Sequence, residues 1–236
     1  MSKNNIENFI GMEKLSLVDW DGKIATTLFT GGCNFRCPFC HNSVLVLEFQ
    51  EINALSFAEI DDYLKRRSTV IQAVVITGGE PTLMPGLEKH LKRIKDLDYL
   101  IKLDTNGTHP ELIKRWYDMK LIDYVAMDVK NSKESYLKTV GLKEFDLEAI
   151  WESIEFLKTS GIDYEFRTTL VNELHTDEDI ESLGKLVSGA KRFYLQHFID
   201  KGTCIQNGLH EVPKEKALKY QNLLKKYVPN TELRGY

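Results

Sequence analysis

The feature that most constrains this chain is its alternation of short apolar runs with segments of helical spacing. Runs rich in β-branched or aromatic residues fall at Lys23–Thr30, Gln72–Thr77, Tyr99–Thr105, Asp123–Val129, Tyr164–Thr169 and Arg192–Phe198. Between them lie helical segments with legible starts and stops. Ser56 with Glu59 predicts a capping box ahead of Ile60, Tyr63 and Leu64. Thr108 with Glu111 repeats that signature, and Pro110 sits where a missing N–H costs nothing. Asp146 precedes Leu147, Ile150, Ile154 and Leu157, and Gly161 lies just past the helix end. Thr176 opens a helix whose first turn holds Asp177, Glu178 and Asp179, where the dipole favours anions. Parallel strands need crossover helices, so about six such β/α units predict a parallel sheet.

Two architectures satisfy that pattern: an open doubly wound sheet and an incomplete (β/α) barrel of about six strands. The chemically distinctive residues separate them, because they sit where strands end. Cys33–Cys40 follow the first run, Gly78–Gly79–Glu80 the second, and Asp104–Thr105–Asn106–Gly107 the third. Asp128 and Lys130 follow the fourth, Arg167 lies in the fifth, and Gln196–His197 end the sixth. In parallel α/β folds that C-terminal rim is where sites are built. Contributions from every strand end suit a barrel better than one crevice. The expected fold is therefore α/β, a partial (β/α)6 TIM-like barrel with its site at the C-terminal strand ends. One domain is expected over residues 1–236, with a core over about 20–200 and a helix and tail over about 201–236.

Composition closes off other classes. The 236 residues are 42% hydrophobic, enough for a real core, and 31 Lys+Arg against 35 Asp+Glu leave a net charge of −4. That balance gives no electrostatic case for nucleic acid or an anionic membrane surface. Runs such as Ser43–Leu47 and Ala73–Ile76 fall far short of the ~20 residues of a spanning helix. MSKNNIENFI lacks a basic-then-apolar signal pattern, so a cytoplasmic location is expected.

Of four cysteines, Cys33, Cys37 and Cys40 fall within eight residues and Cys204 stands far downstream. This is not a disulfide framework. Cys204 reads as an ordinary thiol. Three thiolates spaced C-x3-C-x2-C select an iron–sulfur cluster, zinc or copper(I), and leave one corner of a cube without a protein ligand. A closed zinc site would recruit His41 as fourth ligand, making the chain a zinc-stapled binding module. Gly31 and Gly32 permit backbone that a Cβ would block. Phe39 is either a core anchor or a stacking surface for a flat ligand.

C-x3-C-x2-C with an aromatic before the third Cys resembles the signature of the radical S-adenosylmethionine enzymes. Thr77-Gly78-Gly79-Glu80-Pro81, one β/α unit later, resembles that family's glycine-rich motif, whose backbone contacts the methionine amino group. The resemblance implies one 4Fe–4S cluster on Cys33, Cys37 and Cys40, with S-adenosylmethionine chelated at its open iron. Reductive cleavage would yield methionine and a 5′-deoxyadenosyl radical. Lys102–Gly107 and Ala126–Lys130 look like motifs of the glycyl radical enzyme activases. That likeness implies that Asp104, Thr105 and Asp128 lie near a monovalent cation, with Lys130 in the same pocket. Asn106 joins the cofactor set with Gly78, Gly79, Glu80, Phe39 and His41. Arg167 either reaches the cofactor or forms a salt bridge. His197 answers to a cofactor-contacting His of activases, although a gapless match places Ile199 there.

Ser16–Lys23, Cys37–Asn42, Tyr164–Thr169 and Glu232–Gly235 are most similar to the short anaerobic ribonucleoside-triphosphate reductase activating proteins, with Asp21 where a Pro is common. The partners implied are a glycyl radical enzyme, first of all that reductase, and flavodoxin or ferredoxin as electron donor. The competing enzyme reading is a small-molecule enzyme resembling 7-carboxy-7-deazaguanine synthase. Against it stand Asp104, where that group tends to have Glu, and His41-Asn42 after the last Cys.

Overall fold

A computed structural model describes residues 7–236. The first six residues, on which the reading of a missing signal pattern partly rests, lie outside it. Eight strands follow one another in chain order across one sheet: β1 Gly11–Ser16, β2 Ala25–Thr30, β3 Ala73–Gly78, β4 Leu100–Thr105, β5 Tyr124–Asp128, β6 Asp163–Leu170, β7 Phe193–His197 and β8 Thr231–Arg234. The helices are α1 Ser43–Leu47, α2 Phe57–Arg67, α3 Leu87–Lys95, α4 Pro110–Asp118, α5 Tyr136–Thr139, α6 Glu148–Ser160, α7 Asp177–Leu186 and α8 Lys214–Leu224. No helix among the described residues is long and apolar enough to cross a membrane.

The chain divides into two compact units. One takes the residues up to 34 and 44–125; the other takes 35–43 and 126–236. In the first, β1 runs antiparallel to β2, and β2, β3 and β4 are parallel. β3 is apolar on both faces, with Ala73 through Ile76 fully buried, as a central parallel strand must be. In the second, β6, β7 and β8 are parallel, and the Val129 N–H continues the ladder to the Arg167 carbonyl.

The expected runs become β2 to β7. β1 and β8 enlarge the expected six: both are short edge strands whose mixed sequences carry no clean alternation, and β8 forms within the expected tail. Both chemical readings of the Ser56–Glu59 and Thr176 helix starts hold. Ser56 with Glu59 and Thr176 with Asp179 form reciprocal capping boxes. Gly161 closes α6 in the left-handed region at φ 88°. The Thr108–Glu111 capping box does not form. His109 occupies the N-cap without a side-chain cap, because the Thr108 hydroxyl is committed to Asn106 Oδ1 at 2.8 Å.

Candidate functional site

In the first unit, Cys33 and Asn34 meet the ends of β3 and β4. The Glu80 N–H donates to the Gly32 carbonyl at 2.8 Å, and the Gly79 N–H to the Thr30 carbonyl at 3.0 Å. A Cβ on Gly79 would stand 1.8 Å from the Gly32 carbonyl oxygen, so only glycine lets the two loops touch. Gly78 is the same case, its φ of 123° and a Cβ position 2.3 Å from the Thr30 oxygen admitting no side chain.

Glu80 is 1% exposed and spends its carboxylate on the protein itself. Oε1 accepts from the hydroxyls of Thr82 (2.6 Å) and Thr105 (2.7 Å) and from the Thr82 N–H (3.1 Å); Oε2 accepts from the Asn106 N–H at 2.7 Å. Burial pushes its carboxyl up, while Thr82, Asn106 and Thr105 pull it back. Its role is to lock the turn after β3 to the turn after β4. Asn106 then reaches the cysteine loop: Nδ2 donates to Asn34 Oδ1 at 2.8 Å and lies 3.9 Å from Cys33 Sγ. Asn34 in turn donates to the Thr108 hydroxyl at 2.8 Å. Asp104 faces Lys102, whose Nζ is 3.9 Å away and donates to the Asp19 carbonyl at 2.6 Å.

In the second unit the same loop supplies Cys37, Phe39, Cys40 and His41. The Cys40 N–H closes a turn onto the Cys37 carbonyl at 3.0 Å, and the Arg36 N–H binds the Val140 carbonyl at 2.9 Å. Gly141, at φ 70°, brings its backbone so near that a Cβ would lie 2.1 Å from the Arg36 oxygen. Asp128 accepts from Lys130 Nζ at 2.9 Å on one oxygen and from Arg167 Nε at 2.9 Å on the other. One carboxylate against two cations leaves a net positive charge. Cys37 is buried, which pushes its thiol up to about 11, and Lys130 draws it back. Burial also raises Cys40. A cation beside these sulfurs favours the thiolate that a soft metal centre needs.

Phe39 is 4% exposed with its ring edge-on to Phe198. His41 stacks on Phe198 at 5.3 Å and turns Nδ1 toward Cys204 Sγ at 3.9 Å. The 203–206 segment is pinned alongside, the Gln206 N–H on the Pro38 carbonyl and the Ser43 hydroxyl on the Thr203 carbonyl. His197 has both ring nitrogens engaged, Nε2 with Glu211 at 2.8 Å and Nδ1 at the Gly235 carbonyl, 3.1 Å. Arg167 pairs with Asp128 through Nε at 2.9 Å.

Sequence reasoning did not single out Asn34, Thr82 or Tyr136, and it gave Thr108 only a helix-capping role. Their signal is the contacts they make: Asn34 joins Asn106 and Thr108 more than seventy residues on, Thr82 shares Glu80 Oε1 with Thr105, and the Tyr136 hydroxyl takes the Lys130 N–H. The donor set fits an iron–sulfur cluster on chemical grounds. It offers three soft sulfur ligands on one loop, glycines at its closest backbone approaches, and a lysine charge beside Cys37.

Residues 27–187 match the model of the radical SAM superfamily. A Methanocaldococcus jannaschii protein bearing the name of a glycyl-radical enzyme activating enzyme is 34% identical over 232 residues, 95% of this chain and 94% of that one. A 7-carboxy-7-deazaguanine synthase of Neisseria meningitidis serogroup B is 32% identical over 120 residues, 50% of each chain. Among solved structures, a domain of pyruvate-formate lyase-activating enzyme from Bacteroides vulgatus superposes with a TM-score of 0.57 at 18% identity, covering 70% of this chain and 99% of that one. This last likeness is one of fold: an α/β partial TIM-like barrel.

Proposed function

The chain belongs to the radical SAM superfamily, and from that membership we propose that it activates a glycyl radical enzyme by taking a hydrogen atom from one backbone glycine. The observation that carries this reading is the reach of the likeness to the M. jannaschii relative, 34% identity over 95% of the chain, against 24% over 74% for a 7-carboxy-7-deazaguanine synthase of Clostridium acetobutylicum. When bound, a reduced 4Fe–4S cluster and S-adenosylmethionine supply the hydrogen-abstracting radical, with 5′-deoxyadenosine and methionine as by-products.

Cys33, Cys37 and Cys40 would hold the cluster. The backbone of Gly78–Gly79 would line the cofactor, and Lys130 with Arg167 would offset an anionic carboxylate group. Glu80 acts through Thr105 and Asn106, fixing the turn that leans on Asn34 and Cys33. A monovalent cation beside Asp104 and Asp128 would share those carboxylates with Lys102, Lys130 and Arg167.

The partner we infer is anaerobic ribonucleoside-triphosphate reductase, with flavodoxin or ferredoxin giving the single electron. Two of the supporting stretches, Tyr164–Thr169 and Glu232–Gly235, pair through Glu165 Oε1 and Arg234 Nη1 at 3.1 Å. The test mixes anaerobically reconstituted protein, reduced flavodoxin, S-adenosylmethionine and the reductase. A glycyl radical signal on the reductase, with one 5′-deoxyadenosine per radical, supports the reading. Turnover that instead requires a deazaguanine synthase substrate, with no radical on the protein, overturns it.

A further inference from the structure

Lys130 is the second residue after β5, and its backbone is held by residues of other elements. Its N–H donates to the Tyr136 hydroxyl at 3.3 Å, and the Thr168 hydroxyl donates to the neighbouring Val129 carbonyl. Its carbonyl faces His175 Nε2 at 3.0 Å. A carbonyl can only accept, so Nε2 carries a proton. The other ring nitrogen, Nδ1, has both the N–H and the carbonyl of Val171 at 3.1 Å. His175 is 1% exposed, and burial pushes its pKa down, which keeps the ring neutral. A neutral ring protonated at Nε2 takes the Val171 N–H at Nδ1. The same stretch holds the next two residues: Asn131 Nδ2 donates to the Leu174 carbonyl at 2.7 Å, and the Ser132 hydroxyl to Asp179 at 2.8 Å.

We propose that His175 is a positioning residue for S-adenosylmethionine, bridging the end of β6 to the Lys130 carbonyl and so fixing where the Lys130 ammonium stands beside Asp128. This rests on the reading that places Lys130 in the cofactor pocket. Because Asp128 and Lys130 are only two residues apart, a small backbone shift at Lys130 moves the ammonium relative to the carboxylate. An ammonium is a compact charge on a flexible stem, and the anchor of that stem is what the imidazole controls.

The two ring contacts separate by substitution. A Gln amide nitrogen stands near the place of Nε2 and keeps the Lys130 bond; an Asn side chain reaches only the place of Nδ1 and keeps the Val171 bond. The measurements are S-adenosylmethionine affinity, from titration of the reduced cluster's EPR signal in the reconstituted protein, and the thermal midpoint. His175→Asn is expected to weaken S-adenosylmethionine binding on the order of tenfold. His175→Gln should bind close to wild type although its midpoint falls as well. Equal losses in the two variants, or lowered midpoints with unchanged affinity in both, would mean that the ring is only structural and overturn the inference. Lys130→Met separates the two levels. If it leaves affinity unchanged, the pocket reading fails and the inference goes with it; if it weakens binding while His175→Asn does not, the inference alone fails. Should the Asn variant not fold, nitrogen-15 NMR of the oxidised wild-type protein decides: a proton on Nε2 supports the bridge, and a proton on Nδ1 alone overturns it.

Discussion

Lys130 Nζ stands 2.9 Å from Asp128 Oδ2, two residues back along the same chain, while Arg167 takes the other carboxylate oxygen from the adjacent strand β6. The aspartate is a clamp for two cations, and the clamp leaves a net positive charge near Cys37.

That clamp makes acid stability a readout. Burial alone would raise the Asp128 carboxyl, but Arg167 and Lys130 outweigh it and hold it down at about 2, below the ordinary 3.8. A depressed carboxyl stabilises the fold above its unfolded value, and that stabilisation is lost as pH falls from about 4 to about 2. The shift corresponds to on the order of 2 kcal/mol. Asp128→Asn should lower stability in urea at neutral pH by roughly that amount and flatten its dependence between those pH values. An unchanged acid slope would show that the clamp adds nothing.

Glu80→Gln tests the lock between the two turns. A Gln can keep the acceptor for Thr82 and Thr105 only by turning its NH2 onto the Asn106 N–H, two donors face to face. The expected loss is about 1–3 kcal/mol, read by urea unfolding. Glu80→Asp, which shortens the reach, should lose stability too; a neutral outcome for both would remove Glu80 from its bracing role.

Gly79→Ala and Gly141→Ala each drive a methyl group into a carbonyl oxygen of the cysteine loop, at Gly32 and Arg36 respectively. Both should lower iron bound per chain after reconstitution, since the loop must shift to make room. Gly22→Ala is the control, as nothing lies within 4 Å of a Cβ there. Its φ of +76° still costs some stability, but its iron content should match wild type.

Cys204→Ala should leave iron content unchanged, whereas Ala at Cys33, Cys37 or Cys40 should abolish most of it. Cys204 lies 3.9 Å from His41 Nδ1, so the comparison discriminates a neighbour of the loop from a ligand. Iron lost from the Cys204 variant would redraw the ligand set.

Much of this was legible in the sequence because the signals are local. Strand runs, the Ser56 and Thr176 caps and Gly161 each act over a few residues, and each appears in place. The Thr108 cap failed because Asn106 and Asn34 outbid the helix for its hydroxyl. β1 and β8 were hidden since an edge strand is defined by its neighbour's register. Residue types in the site were legible and their division of labour was not. Glu80 and His197 are spent on Asn106, Glu211 and other protein partners far away in sequence, and Lys102 gains its place beside Asp104 only once β4 is pleated.

The most direct test is the EPR spectrum of the anaerobically reconstituted, reduced protein, recorded with and without S-adenosylmethionine. A 4Fe–4S signal whose shape changes on adding S-adenosylmethionine is the result predicted for three cysteine ligands and one open iron. An iron-free, EPR-silent protein that retains one zinc per chain would contradict the account at its root.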